Sequence, residues 1–95
     1  VFVDITADWC VTCQVNKQLV LERKPVLQSF AKADVKLLRA DWTRPNDMIA
    51  DYLLKYDRFG IPFNSLYLPD IAEPVIFSEI LVAEKIINLL ENRLR

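Results

Sequence analysis

The chain has 95 residues, 53% of them hydrophobic and 26% charged, with a net charge of −1 at neutral pH. That suffices for one domain and is too short for two, and the near-neutral balance gives no electrostatic reason to expect nucleic acid or an anionic membrane surface. No apolar run approaches the roughly 18–20 residues that cross a bilayer, and no basic n-region with an h-region and cleavage site opens the chain, so the segment reads as soluble.

Residues 1–6 are apolar apart from Asp4 and rich in β-branched side chains, which predicts a central strand covered on both faces. Val1 is not a methionine and already lies in this strand-like run, so the sequence reads as a piece of a longer polypeptide. After Cys10-Val11-Thr12-Cys13 the period changes. Val11, Val15 and Leu19 recur every four residues and predict one side of a helix, with Thr12, Gln14, Asn16 and Lys17 largely elsewhere. Pro25 forces a break or a new first turn, after which Val26, Leu27, Phe30 and Ala31 continue a short apolar face. Residues 35–40 predict the next strand, and residues 41–46 a polar connection that holds a helix cap. Met48, Ile49, Tyr52, Leu53 and Tyr56 mark a further helical face, contributing core and rim.

Gly60, the only glycine, sits in Arg58-Phe59-Gly60-Ile61-Pro62, where a helix C-terminus needs a residue tolerant of positive φ. Residues 63–68 and 75–80 predict two antiparallel strands around the proline-bounded turn at 69–74. Val82, Ala83, Ile86, Ile87, Leu90 and Leu94 then form the stripe of a closing amphipathic helix, away from Glu84, Lys85, Asn88, Glu91 and Arg93. The order strand, helix, strand, helix, strand, strand, helix joins a parallel βαβ unit with a right-handed crossover to a hairpin.

Two thiols three positions apart, at a strand end and a helix start, can form a disulfide within one helical turn. Unpaired backbone N–H groups and the helix dipole favour a thiolate there, lowering a cysteine pKa to roughly 3.5–7.5 from about 8.5. Cys10 is the expected accessible nucleophile and Cys13, one turn deeper, its buried resolving partner. The pair encloses so short a loop that a chain-entropy staple has little to act on. Haem attachment needs a histidine where Gln14 stands, and a zinc ribbon needs a second cysteine pair; the chain has neither. Asp4, in the middle of a buried strand, must be hydrogen-bonded or shift its pKa upward, and a satisfied structural aspartate is one reading of it. Trp9 reads as a half-buried aromatic, as a cover beside the disulfide, or as both. Asp8 reads as a solvated loop charge that opposes a nearby thiolate.

Asp4, the run Ala7-Asp8-Trp9-Cys10-Val11-Thr12-Cys13, Ala40-Asp41-Trp42-Thr43, Gly60-Ile61-Pro62, and Glu73-Pro74 followed by Glu79-Ile80-Leu81 resemble the thioredoxin superfamily. Within it the chain looks most like the C-terminal periplasmic domains of transmembrane thiol:disulfide interchange proteins. The alanine-aspartate-tryptophan lead into Cys-Val-X-Cys is more specific than the cysteine spacing, since thioredoxins proper carry glycine-proline between the cysteines. The resemblance implies an α/β, thioredoxin-like fold, a central mixed β-sheet flanked by helices, lacking the usual N-terminal edge strand and helix. It implies a redox-active Cys10–Cys13 disulfide with no cofactor and no metal, and a proton-transfer role for Asp4 toward the resolving thiol. It also implies a cis peptide at Ile61–Pro62 facing the disulfide and offering backbone groups to an extended partner, with Trp9 beside it. Lys17 stands where related domains often have an acidic residue, and Phe63 where many thioredoxins have threonine. Both bear on reduction potential and partner choice.

These expectations combine into a single thioredoxin-like domain over residues 1–95, part of a longer membrane protein, acting as a monomeric dithiol reductant in the bacterial periplasm. Its partners would be disulfide-bearing proteins and a membrane-embedded electron donor domain, with no nucleic acid and no direct membrane insertion. A free-standing cytosolic thioredoxin-like reductase and a module holding a soft metal such as Cu(I) are the alternatives. Sequence upstream of Val1 and metal content under reducing conditions would separate them.

Overall fold

A computed structural model describes residues 1–58 and 60–94, and the side chains of all of these except Arg93 and Leu94. Phe59 and those two side chains, for which the sequence carries expectations, lie outside the described residues. Strand β1 (Phe2–Thr6) pairs in parallel with β2 (Leu37–Asp41) and antiparallel with β3 (Phe63–Leu66), which in turn pairs antiparallel with β4 (Val75–Ile76). The sheet order is thus β2-β1-β3-β4, with β1 inside it. Helix α1 (Val11–Asn16), a π-helical turn (Lys17–Leu21) and α2 (Lys24–Lys32) connect β1 to β2. Helix α3 (Asp47–Lys55) lies between β2 and β3, and α4 (Ala83–Leu94) follows β4. This is the expected mixed α/β order.

Side chains of β1 alternate between two packed faces, which is why its sequence is apolar almost throughout. Phe2 sits opposite Leu66 and packs with Leu21, Val26, Phe30 and Ile86. Ile5 sits opposite Phe63 and packs with Leu53, Ile49 and Tyr52 from α3. Asp4 therefore points to the same side as Phe2. The α3 start is capped by Asn46, whose Oδ1 accepts the N–H groups of Met48 at 3.0 Å and Ile49 at 3.2 Å. Pro25 sits in the first turn of α2, where its missing N–H costs nothing. The tyrosines of α3 turn inward. The Tyr52 hydroxyl lies 3.1 Å from Ser65 Oγ and 2.5 Å from the Tyr67 hydroxyl, itself 3.2 Å from that of Tyr56. Burial, then those hydrogen bonds, push Tyr67 well above the ordinary phenol range.

Four local expectations are corrected. The Val11, Val15 and Leu19 side of the first helix faces solvent, at 77%, 44% and 62% exposure, while Cys13, Asn16, Val20 and Leu21 are buried. Asn16, hydrogen-bonded to the Glu79 carbonyl and the Leu81 N–H, holds its own side of α1 inward. The π turn, closed by Glu22 N–H on the Lys17 carbonyl at 2.8 Å, then shifts the inward positions away from a simple four-residue spacing. Positive φ after α3 falls at Asp57, with φ 58°, and not at Gly60; aspartate is among the non-glycine residues that tolerate that region. Met48 is exposed rather than part of the α3 core. The two C-terminal strands are shorter than their apolar runs, ending at Leu66 and Ile76. Among the described residues, no helix is long and apolar enough to cross a membrane.

Candidate active site at the strand-to-helix turn

The loop leaving β1 is tied down at Ala7, whose carbonyl accepts the Cys10 N–H at 3.1 Å and Gln14 Nε2 at 3.0 Å. Cys10 is then the N-cap of α1. Its Sγ accepts the Cys13 N–H at 3.2 Å and its carbonyl accepts the Gln14 N–H at 3.2 Å. The two cysteines form a disulfide with Cα atoms 5.2 Å apart. Ala7, Cys10 and Cys13 make a small apolar cluster against which Ile61 packs, and the Ile61–Pro62 peptide bond is cis. Cys13 Sγ lies 4.0 Å from the Ile5 carbonyl oxygen, deeper toward the sheet. In this disulfide form the cysteines are almost equally enclosed, Cys10 6% and Cys13 3% exposed. The expected contrast in exposure is therefore slight, and the two differ chiefly in place, one at the helix cap and one against β1.

A second tether reaches the same loop from the end of β2. Asp8 N–H donates to Thr43 Oγ1 at 2.9 Å, and the Thr43 hydroxyl and N–H both donate to Asp41 Oδ1, at 2.5 and 2.9 Å. Those two hydrogen bonds hold the Asp41 carboxyl below the usual range. Trp9 is 58% exposed and lines a cleft with Trp42, Thr43 and Pro45. It is more open than a half-buried cover would be.

Asp4 is 3% exposed, and its Oδ2 lies 3.5 Å from Arg39 Nε on the neighbouring strand. Arg39 also approaches Glu22 Oε1 at 3.8 Å, and Lys17 Nζ reaches the same oxygen at 3.9 Å. Burial pushes the Asp4 pKa up and outweighs the Arg39 charge and hydrogen bond and the more distant Lys17 charge, all of which pull it down. Phe63 is buried against Ile5 and takes no part in the cysteine cluster. Of the residues singled out in the sequence, Cys10, Cys13 and Ile61 meet directly, Pro62 follows in the buried strand entry, Asp4 precedes Ile5, whose carbonyl Cys13 Sγ approaches, on β1, and Trp9 stands exposed.

Sequence reasoning missed Arg39, Thr43 and Asn64. Arg39 shares its predicted strand with a second cation, Lys36, and only the Asp4–Arg39 register shows which of the two meets the buried carboxyl. Thr43 lay within the quoted Ala-Asp-Trp-Thr run without a role. Asn64 follows Phe63 in a wholly buried strand and sits opposite Asp4. Among the described residues, no group of three or more histidine, cysteine, aspartate or glutamate side chains is arranged to hold a metal ion. A disulfide capping a helix, with the residue before a cis proline packed against it, can open and close by thiol–disulfide exchange.

The chain is similar to known proteins. The chain is 39% identical over 62 residues to the thiol:disulfide interchange protein DsbD of Pseudomonas sp. (strain JR1 / K1), covering 65% of this chain and 10% of that protein. It is 37% identical over 73 residues to DsbD of Pseudomonas fluorescens, covering 77% of this chain and 12% of that protein. The chain thus spans about a tenth of the length of these curated relatives. The DsbD C-terminal domain of Neisseria meningitidis in its reduced form superposes with a TM-score of 0.72 at 26% identity, over 97% of this chain and 78% of that one. The oxidised form gives the same TM-score and coverage at 24% identity, a likeness of fold. The family described as Thioredoxin-like matches residues 1–69, from β1 through the cysteine pair and the cis proline to the end of β3, so the chain belongs to the thioredoxin-like family.

Proposed function

We propose that this chain is a thiol–disulfide oxidoreductase, a dithiol reductant working as one periplasmic domain of a longer inner-membrane protein. The observation that carries the proposal is the Cys10–Cys13 disulfide, closed at the strand-to-helix turn with Ile61 packed against it. In the reduced state Cys10, whose Sγ accepts a backbone N–H, is the thiolate that attacks a partner disulfide. A Cys10–partner disulfide forms and the partner's other sulfur leaves with the electron pair. Cys13 then gives its proton to the Asp4 carboxylate and attacks Cys10 Sγ. The Cys10–Cys13 bond closes, the partner's second sulfur departs as thiolate, and two electrons have passed to the partner. A membrane-embedded donor domain of the same polypeptide restores the dithiol. Ile61 and Trp9 form the partner-facing rim with Pro62 buried behind Ile61, the loop at Ile61 offering backbone groups to an extended chain.

Substitution of the cysteines tests these roles. Cys13→Ser is expected to accumulate mixed disulfides with a disulfide-bearing peptide, detected as mass adducts that dithiothreitol releases, whereas Cys10→Ser is not. Adducts confined to Cys10→Ser would reverse the roles, and their absence from both variants would overturn the exchange mechanism.

A further inference from the structure

Asp4 stands directly opposite Asn64 across the antiparallel β1–β3 pair, and opposed strand residues share a face at Cβ separations of about 4.5–5.5 Å. Arg39 flanks Asp4 from the other side, on β2. The row Arg39, Asp4, Asn64 therefore crosses the middle of the sheet on the face that carries Phe2 and Leu66. The rung next in line on that face, Phe2 opposite Leu66, is apolar and fully buried. Packing alone thus gives no reason for an amide at position 64.

Asn64 is 1% exposed, and neither its Nδ2 nor its Oδ1 has a hydrogen-bond partner among the described residues. Thr6 Oγ1, two residues along β1 from Asp4 and so on the same face, is also buried without a partner. A buried amide left unpaired is costly, and a leucine would avoid that cost. Three polar side chains converging on one buried face meet the requirement of an internal water for two to four polar partners.

We infer that Asn64 is a positioning residue for thiol–disulfide exchange: its carboxamide, through a water shared with Thr6 Oγ1, hydrogen-bonds the ionised Asp4 carboxylate and sets the pH at which Asp4 takes the Cys13 proton. This rests on the proposed dithiol chemistry and adds a residue to it. The charges facing Asp4 among the described residues are Arg39 on β2 and Lys17 in the π turn, with Glu22 beyond them at 3.8 and 3.9 Å. The reduced Cys13 of α1 is the proton donor of the proposed exchange, and the β3 residue opposite Asp4 is the neutral Asn64. None of these charges changes when residue 64 is replaced. A hydrogen bond to the carboxylate favours its charged form, so removing it raises the pH at which Asp4 ionises.

The test compares the pH dependence of exchange with a disulfide peptide in the parent, Asn64→Ala and Asn64→Val. One replacement is smaller than asparagine and the other is a bulkier strand former, so packing errors differ between them while the lost amide is common to both. Both are expected to move the acid limb of the profile upward by roughly half to one pH unit, making exchange about three- to tenfold slower on that limb. Neither is expected to shift the profile when added to Asp4→Asn. A parental profile in both variants, shifts of opposite sign, or the same shift in the Asp4→Asn background would overturn the inference. A parent that does not exchange at any pH would overturn the proposed function and this inference with it, an outcome distinct from unshifted variants of an active parent.

Discussion

At Asp4, burial and ion pairing pull in opposite directions, and burial wins. At acid pH both the folded and unfolded chains hold the proton and the residue adds no pH-dependent cost. As pH rises through the ordinary carboxylate range the unfolded chain releases its proton first, so folding is penalised progressively until the raised native pKa is passed. Asp4→Asn keeps the volume and removes the titration, and Arg39 still has Glu22 within 3.8 Å. The unfolding midpoint of the variant, measured against pH, should therefore gain on the parent across that window and hold the gain above it. The same change should slow exchange at neutral pH by about 10²–10⁴-fold, the range typical of a positioned acid or base. A midpoint difference that is flat with pH, together with a parental exchange rate, would make Asp4 a satisfied structural residue. The composition of its strand made the burial of Asp4 legible. Its partners Arg39 and Asn64 come from strands 35 and 60 residues along the chain, and pairing register is not written in local sequence.

The first helix carries the clearest lesson at the scale of the element. Its apolar residues at four-residue spacing face solvent, while the polar Asn16 is buried and latches the segment before α4. Asn16 Nδ2 donates to the Glu79 carbonyl at 2.7 Å, and its Oδ1 accepts the Leu81 N–H at 3.1 Å. Periodicity measures amphipathicity along one element, and a side chain satisfied by backbone from the far end of the chain defeats it. Asn16→Ala strands both backbone groups and should cost about 1–3 kcal/mol. For a domain of this size that lowers the thermal midpoint by roughly 4–8 °C per kcal/mol. Val15→Ser and Leu19→Ser, on the exposed side, should each stay within about 0.5 kcal/mol of the parent. Thermal unfolding of the three variants checks the assignment, and the reverse ranking would restore the apolar side as the buried one. Where local chemistry and tertiary contact agree, as at the Asn46 cap, the Pro25 first turn and the Ile86 and Leu90 stripe of α4, the sequence expectation holds.

Across the whole molecule, the order of strands and helices was legible because each apolar run carries its own period and is bounded by proline, glycine or polar caps. Lengths and edges were less so, since β3 and β4 stop where pairing stops rather than where hydrophobicity does. That topology brings Cys10 and Cys13 from the end of β1, Ile61 and Pro62 from the entry to β3, and Trp42 and Thr43 from the end of β2 to one edge of the sheet. The cysteine pair should therefore behave as one redox unit. Equilibrating the protein across a series of glutathione ratios and quantifying the Cys10–Cys13 dithiol and disulfide tests that most directly. The account predicts a single two-electron couple, with a tenfold change in the dithiol-to-disulfide ratio for about 30 mV and a potential nearer the roughly −270 mV of thioredoxin than the roughly −120 mV of a strong oxidant. Cysteines that titrate independently as separate glutathione adducts, or a couple poised at the oxidising end, would contradict it.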